Sequence, residues 1–127
     1  MAAYDTTGWD PPAPIVRATV RGPSQVAIAV PMLIDTGSDI TVVPRSVAEA
    51  VGAALHPSRI SVQFYSGAEE TWDEAHLTVG LARFRFEGLF LVAESSYGIL
   101  GRNVLNLVLL TLDGPRLRWS IGAAGQV

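Results

Sequence analysis

Short β-rich segments, joined by little more than turn residues, are the feature that most constrains the fold of this chain. Branched and aromatic residues dominate Ile15 to Arg21, Gln25 to Ile34, Ile60 to Tyr65 and Thr71 to Val79. Glycine, proline and serine punctuate the chain between these segments, as expected for strands joined by turns. Because the spacing of a strand-helix-strand repeat is missing, the sequence predicts a mostly-β fold, a closed barrel or sandwich with one or two short helices.

Two segments within this framework have helical character. Pro44 suits the start of a helix over residues 44–51, and Gly52 suits its end because glycine readily adopts a left-handed backbone there. A second helix is predicted over residues 104–110, with Asn103 as its N-cap.

The composition limits both the number of domains and the class of function. With 127 residues, 49% of them apolar and 17% charged, the chain is long enough for one packed core and too short for two domains. It contains no cysteine, which excludes disulfides, thiolate metal sites and cysteine nucleophiles. The net charge of −3 gives no basic surface for nucleic acid, and no apolar run approaches the length of a membrane span. We therefore expect neither nucleic acid nor a membrane as a partner.

The first residues differ from the rest of the chain. Residues 1–14 are small, polar and rich in proline, and they lack the basic start and apolar run of a signal peptide. We predict an extended N-terminal arm over residues 1–14 and a single domain over residues 15–127, located in the cytoplasm. Trp9 is out of place on a solvated arm, so it is expected to pack either on the body of the domain or on another subunit.

A carboxylate directly follows three large apolar residues in the segment Met32 to Asp39, which reads MLIDTGSD. An ionised Asp35 at the apolar end of a strand is costly unless it is paired or hydrogen-bonded. The Thr36 hydroxyl can donate a hydrogen bond, and Gly37 permits a tight turn with a close backbone approach. Taken alone, this tripeptide is more typical of an ordinary strand-to-turn junction.

A second motif, Ile99 to Asn103 (ILGRN), precedes the second predicted helix. In this order and at this separation, the two motifs resemble the signature of the retropepsin-like aspartic proteases, which include the retroviral enzymes. The resemblance covers most of the chain, from about Ile15 to about Leu112. It implies an acid-protease half-fold that is active as a symmetric homodimer. It also implies an aspartic endopeptidase that hydrolyses a peptide or protein substrate without a cofactor or a metal ion.

The resemblance assigns roles by position. Asp35 matches the catalytic aspartate. Thr36 matches the threonine whose hydroxyl contacts the opposite catalytic loop across the dimer. Gly37 matches the glycine whose backbone lies close to the substrate. Asp39 and Arg102 match an ion pair that braces the active-site loop near the dimer interface.

The substrate cleft is expected to be lined by both motifs and closed by a β-hairpin flap. Residues 62–72 (VQFYSGAEETW) occupy the place of the flap, with one glycine at the tip instead of several. Tyr65 and Trp72 are expected to pack either on the peptide or on the base of the hairpin. The Ser38 hydroxyl is expected to donate to the catalytic carboxylate. The predicted substrate-binding residues are Leu33, Ser38, Asp39, Ile40, Tyr65, Ser66, Gly67, Ile99 and Leu100.

One catalytic aspartate per chain implies two chains per active site. Hydrolysis by this route needs two carboxylates that share one proton, and no second Asp-Thr-Gly exists in the sequence. A twofold homodimer that brings Asp35 of each subunit to the axis supplies the pair. A C-terminal hairpin over residues 109–121 has an apolar face that forms part of the interface or is buried in its own barrel. The predicted interface residues are Thr36, Leu117, Trp119 and Ile121.

Two other interpretations stay open from the sequence. A catalytically inactive retropepsin-like domain, used for dimerisation or peptide binding, has the same fold, and a blocked cleft would favour it. An unrelated small β-barrel interaction domain requires both motifs to be coincidental. An obligate monomer would exclude the protease mechanism, because the second carboxylate would then be missing.

Overall fold

Ten strands and two short helices make up the described part of the chain, so the predicted mostly-β fold is confirmed. The computed structural model describes residues 1–63, Gly67 and residues 69–123, with the backbone alone described for residues 60–63 and 69–71. No helix in these ranges has the length and apolar character needed to cross a membrane. In chain order the elements are β1 (Ala2–Ala3), β2 (Ile15–Arg21), β3 (Ala27–Ile34), β4 (Val42–Pro44), α1 (Arg45–Ala50), β5 (His56–Gln63), β6 (Glu69–Leu81), β7 (Phe84–Ala93), β8 (Gly98–Leu100), α2 (Arg102–Leu105), β9 (Leu109–Asp113) and β10 (Arg118–Gly122).

Six of the strands close into a barrel. Hydrogen bonds join them in the order β2-β3-β8-β4-β7-β6, and the ring closes where Thr19 of β2 pairs with Gly80 of β6. Strand β5 pairs with β6 outside this ring and forms a hairpin with it. The closed ring, which leaves no open edge between its strands, confirms the predicted barrel.

Side chains of alternating burial build the core of the barrel, because successive residues of a strand point to opposite faces. In β2, Val16, Ala18 and Val20 are buried while the residues between them are not. They belong to one apolar cluster with Val30 and Met32 of β3. Helix α1 covers part of this cluster with two buried side chains, Val47 and Ala48.

Strand β8 lies between β3 and β4, and this arrangement positions the loop over residues 35–41. Ile99 of β8 lies opposite Leu33 on parallel β3 and opposite Val42 on antiparallel β4. The loop that joins β3 to β4 therefore passes across the end of β8. Helix α2 begins directly after β8, so both sequence motifs meet at this one place.

The first fourteen residues connect a second, smaller sheet to the barrel. Strand β1 pairs with β10, and β10 forms a hairpin with β9. At the other end of this segment, the Ile34 N–H donates to the Pro14 carbonyl (3.0 Å). Between these points Trp9 packs edge-to-face on Tyr97, with ring centroids 5.1 Å apart. Trp9 therefore packs on the body of the domain, which is one of the two positions expected for it.

Some local predictions are confirmed and others are wrong. Helix α1 forms where it is expected, and Gly52, with φ +78°, follows its end. Strand β7 pairs with β6 without interruption on both sides of Gly88. Helix α2 is shorter than predicted because residues 109–113 pair with β10 instead. Its N-cap is Gly101, while Asn103 lies inside the helix.

Candidate active site

Asp35 is the first residue after β3 and stands at the start of the loop over residues 35–41. Its backbone N–H donates to the Leu100 carbonyl of β8 (3.1 Å). Its Oδ1 accepts a hydrogen bond from the Gly37 N–H (2.9 Å), and the residue is half-buried. A Cβ at Gly37 would lie only 3.2 Å from that same Oδ1. These contacts hold the carboxylate in a fixed position beside β8, with a glycine where the backbone approaches it.

Arg102, the first residue of α2, braces the loop through three contacts. Its Nη2 pairs with the Asp39 carboxylate, so the structure contains the ion pair expected from the resemblance. Its Nη1 donates to the Thr36 carbonyl (2.7 Å), and its backbone N–H donates to the Ser38 carbonyl (2.8 Å). One side chain and one backbone group therefore fix three of the four residues that follow Asp35.

A hydrogen-bonded pair, Thr41 and Asn103, joins the other end of the loop to α2. Thr41 is fully buried, and both its N–H (2.9 Å) and its hydroxyl (2.7 Å) donate to Asn103 Oδ1. The Thr41 hydroxyl oxygen in turn accepts from the Gly101 N–H (3.0 Å). Every polar group of the fully buried Thr41 therefore has a partner, as buried polar groups require. The sequence does not predict this contact; its one signal is a threonine at a buried position of an apolar run.

Gly101 permits the close contact between the two motifs. A Cβ built there would lie 2.5 Å from the carbonyl carbon of Ile40 and 2.7 Å from its oxygen. Both are backbone atoms, which cannot turn away as a flexible side chain can. Any larger residue at Gly101 would therefore push the loop away from α2.

The predicted substrate-binding residues of the barrel divide into two groups. Leu33, Ile40 and Ile99 are half-buried, as a cleft wall requires. Leu100 is fully buried in the core, so its prediction as a substrate contact is wrong, because the alternation of β8 turns it away from the side of Ile99. The Ser38 hydroxyl donates to the Ile40 carbonyl (2.8 Å). Its one proton is therefore used within the loop, and the predicted bond to the Asp35 carboxylate is wrong.

The β5–β6 hairpin occupies the place of the predicted flap. Residues 61–63 pair with residues 69–71, beyond Asp73, where the pairing of β6 with β7 begins. Gly67 is exposed and has φ +86°, a backbone conformation that glycine adopts without strain. The predicted contacts Tyr65 and Ser66 lie outside the described residues.

A charged cluster lies at the root of this hairpin. Arg45, the first residue of α1, pairs through Nη2 with Asp73 Oδ2 (2.8 Å) and through Nε with Glu94 Oε1 (2.7 Å). The hydrogen bond with Asp73 raises the pKa of Arg45 above its usual value. The cluster lines a cavity of about 480 Å³ that also touches Trp72 and Ile99. Nothing in the sequence predicts this cluster, because its members are far apart along the chain.

The predicted interface residues lie on two parts of the surface. Thr36 is exposed on the loop that carries Asp35. Trp119 and Ile121 are half-buried and pack against the barrel core. Leu117 is exposed and lies in the turn before β10, with φ +53°. Their role in a dimer stays a prediction.

The described residues provide half of the acid-base chemistry that a carboxylate-activated water needs. Asp35 can orient a water and take its proton. Asp39, the other acidic residue of the loop, is paired with Arg102. In the described ranges no three His, Asp or Glu side chains are grouped so that they could hold a metal ion. A proton donor for the same step would have to come from elsewhere.

Two comparisons with known proteins find a match. The sequence model of the family described as aspartyl protease matches residues 16–104. The solved structure of EIAV protease complexed with the inhibitor HBY-793 has a TM-score of 0.61 to this chain, with 18% sequence identity over 74% of this chain and 86% of that one. At this level of identity the likeness shows a common fold, that of a retroviral protease. No curated protein sequence matches the chain.

Proposed function

The chain belongs to the aspartyl protease family, and on this basis we propose that it is an aspartic endopeptidase that works as a homodimer. Two Asp35 carboxylates, one from each subunit, share one proton. The ionised carboxylate takes a proton from a water, which attacks the scissile carbonyl, while the protonated carboxylate donates to the carbonyl oxygen. The resulting gem-diol collapses as a proton passes to the leaving nitrogen, with no covalent intermediate.

The observation that carries this proposal is the fixed position of Asp35. The loop behind it is held by Arg102 at one end and by the Thr41–Asn103 pair at the other. The carboxylate itself accepts one backbone N–H and is half-buried. A rigid loop with a partly accessible carboxylate is what preorganised acid-base catalysis needs.

The need for a second carboxylate supports the homodimer. Among the described residues no cation pairs with Asp35, while Asp39 is paired with Arg102, so in this proposal the second carboxylate of the dyad comes from another copy. Exposed leucines in and around β9 are apolar groups that an assembly would cover. They lie between residues 107 and 117 and include Leu107, Leu109, Leu112 and Leu117, with relative exposures of 62%, 40%, 46% and 36%.

The substrate in this proposal is an extended peptide held between β8 and the β5–β6 hairpin. Extended peptides bind through main-chain hydrogen bonds, while side-chain pockets select the sequence. Ile99 lies beside Leu100, whose carbonyl anchors Asp35, so it is placed to contact the residues next to the scissile bond. The hairpin extends beyond the barrel at Asp73, so it can close over the peptide as a flap.

The first experiment compares Asp35→Asn with Asp10→Asn, the same chemical change on the exposed N-terminal segment. Cleavage of denatured casein should fall by a factor on the order of 1,000 or more in Asp35→Asn and stay at the wild-type rate in Asp10→Asn. Both variants should elute as dimers in size-exclusion chromatography with light scattering. Casein cleavage that survives Asp35→Asn would refute the catalytic assignment.

A mixing experiment tests whether the site is shared between subunits. Wild-type protein exchanged with a ninefold excess of Asp35→Asn should keep only about one-tenth of its activity, because few wild-type chains then have a wild-type partner. Activity that is independent of the variant would show that each chain works alone. A stable dimer that cleaves no peptide would instead match an inactive binding module.

A further inference from the structure

We propose that the cavity at the root of the β5–β6 hairpin is a pocket for a basic side chain of the substrate, and that Glu94 determines this preference. This inference rests on the proposed peptidase function and adds the class of substrate to it. The cavity lies between the barrel, the end of β7 and the hairpin, and has a volume of about 480 Å³.

The cavity begins next to the loop over residues 35–41, at Val42. Ile99 lies on its wall, and the following residue, Leu100, accepts the hydrogen bond from the Asp35 N–H. In this proposal a peptide bound at Asp35 runs along β8 and reaches the cavity at Ile99. Most of its wall is apolar or aromatic and comes from Val42, Trp72, Val92, Tyr97 and Ile99. Such a wall can take the methylene stem of a lysine or an arginine.

The charged groups of the cavity give it one net negative charge. Arg45 supplies one positive charge, and Asp73 and Glu94 supply two negative charges. Each carboxylate contacts Arg45 through one of its two oxygens. The Glu94 side chain is 83% exposed, against 32% for Asp73, so Glu94 is the carboxylate that an entering cation would meet. A basic side chain is therefore attracted and an acidic one is repelled.

Neighbouring contacts fix the walls before a peptide arrives. Arg45 holds both carboxylates at hydrogen-bond distance. The Tyr97 ring also packs edge-to-face with the ring of Trp9. A preformed pocket loses little conformational entropy on binding, so its charge can act on substrate selection. The pair with Glu94 stays partly exposed, and we therefore expect a preference of about fivefold for a basic residue over a neutral one.

The test uses a series of casein-derived peptides in which each position near the cleaved bond carries lysine, norleucine or glutamate. In wild-type protein, one position should give a kcat/KM about fivefold higher for lysine than for norleucine, and lower still for glutamate. In Glu94→Gln the advantage of lysine over norleucine should disappear, a change in the ratio of two kcat/KM values that a general loss of activity would not produce. Glu87→Gln, the same change at an exposed residue of β7 outside this cavity, should keep the lysine preference.

Binding of the same labelled peptides to Asp35→Asn protein, measured by fluorescence anisotropy, separates the two proposals. A lysine preference in binding, without cleavage by wild-type protein, would support the pocket and contradict the peptidase function. Cleavage of all three peptides at equal rates, or a lysine preference that survives Glu94→Gln, would overturn the pocket and leave the peptidase function intact. Equal binding of all three peptides in the absence of cleavage would overturn both.

Discussion

Gly101→Ala is the substitution that tests most directly whether the contact between the two motifs sets the geometry of the site. The new Cβ would lie 2.5 Å from the Ile40 carbonyl carbon, 2.7 Å from its oxygen and 2.9 Å from its nitrogen. All three atoms belong to the backbone of the loop that carries Asp35. To restore ordinary van der Waals contact, the loop has to move by about 1 Å relative to α2.

The size of the effect follows from this displacement. Overpacking against an unyielding backbone costs about 3 kcal/mol of the free energy of unfolding, which is smaller than the total stability of a typical domain. The variant should therefore fold, with a melting temperature lower by about 10 °C. A shift of about 1 Å in a catalytic group lowers turnover about 100-fold, so activity should fall more steeply than stability.

Gly88→Ala provides the matched control. Gly88 lies within β7, and a Cβ added there meets no atom within 4 Å. Its free energy of unfolding should stay within about 0.5 kcal/mol of wild type. Urea unfolding and casein cleavage are compared at one protomer concentration, because association adds to the apparent stability. If Gly101→Ala unfolds and cleaves like Gly88→Ala, the argument from close contact is wrong.

Further substitutions separate the remaining contacts of the loop and the N-terminal segment. Asn103→Ala leaves the fully buried Thr41 N–H and hydroxyl without their acceptor, and urea unfolding should show a loss of about 2 kcal/mol. Asp39→Asn weakens an ion pair with Arg102 whose side chains are 80% and 42% exposed, so it should cost only about 0.5 kcal/mol, while casein cleavage falls as the loop loses its brace. Trp9→Ala removes one ring contact and should lower the free energy of unfolding by about 1 kcal/mol, with hydrogen exchange increasing over residues 4–14. Unchanged exchange there would contradict the anchoring role of Trp9.

The barrel could be predicted from the sequence because its signals are local. The side chains that alternate in burial along β2, and the glycine that adopts a positive φ after α1, belong to short patterns of consecutive residues. The meeting of the two motifs could also be anticipated, but only through the resemblance to a family. The Thr41–Asn103 contact could not be predicted, because its partners are 62 residues apart and no local pattern connects them.

Other errors have a common physical cause in sheet register and pairing. Ile99 and Leu100 are both apolar, and only the register of β8 decides that Leu100 faces the core. The apolar run after Asn103 suits a helix or a strand equally well. Pairing with β10 makes its last part a strand, a long-range contact that no local pattern contains. The same limit hides the Arg45 cluster, whose three residues come from α1, β6 and the segment after β7.

The contacts that hold the loop over residues 35–41 lie within one chain. Arg102 and the Thr41–Asn103 pair hold the loop without help from a second copy. Association therefore has to supply the second carboxylate but does not have to order the first. The specific activity should accordingly rise in proportion to protomer concentration below the dimer dissociation constant and then reach a plateau, with no lag after dilution into substrate. The circular dichroism spectrum should not change across the same range. Loss of β-sheet signal on dilution would show instead that the loop and barrel depend on the partner for their fold.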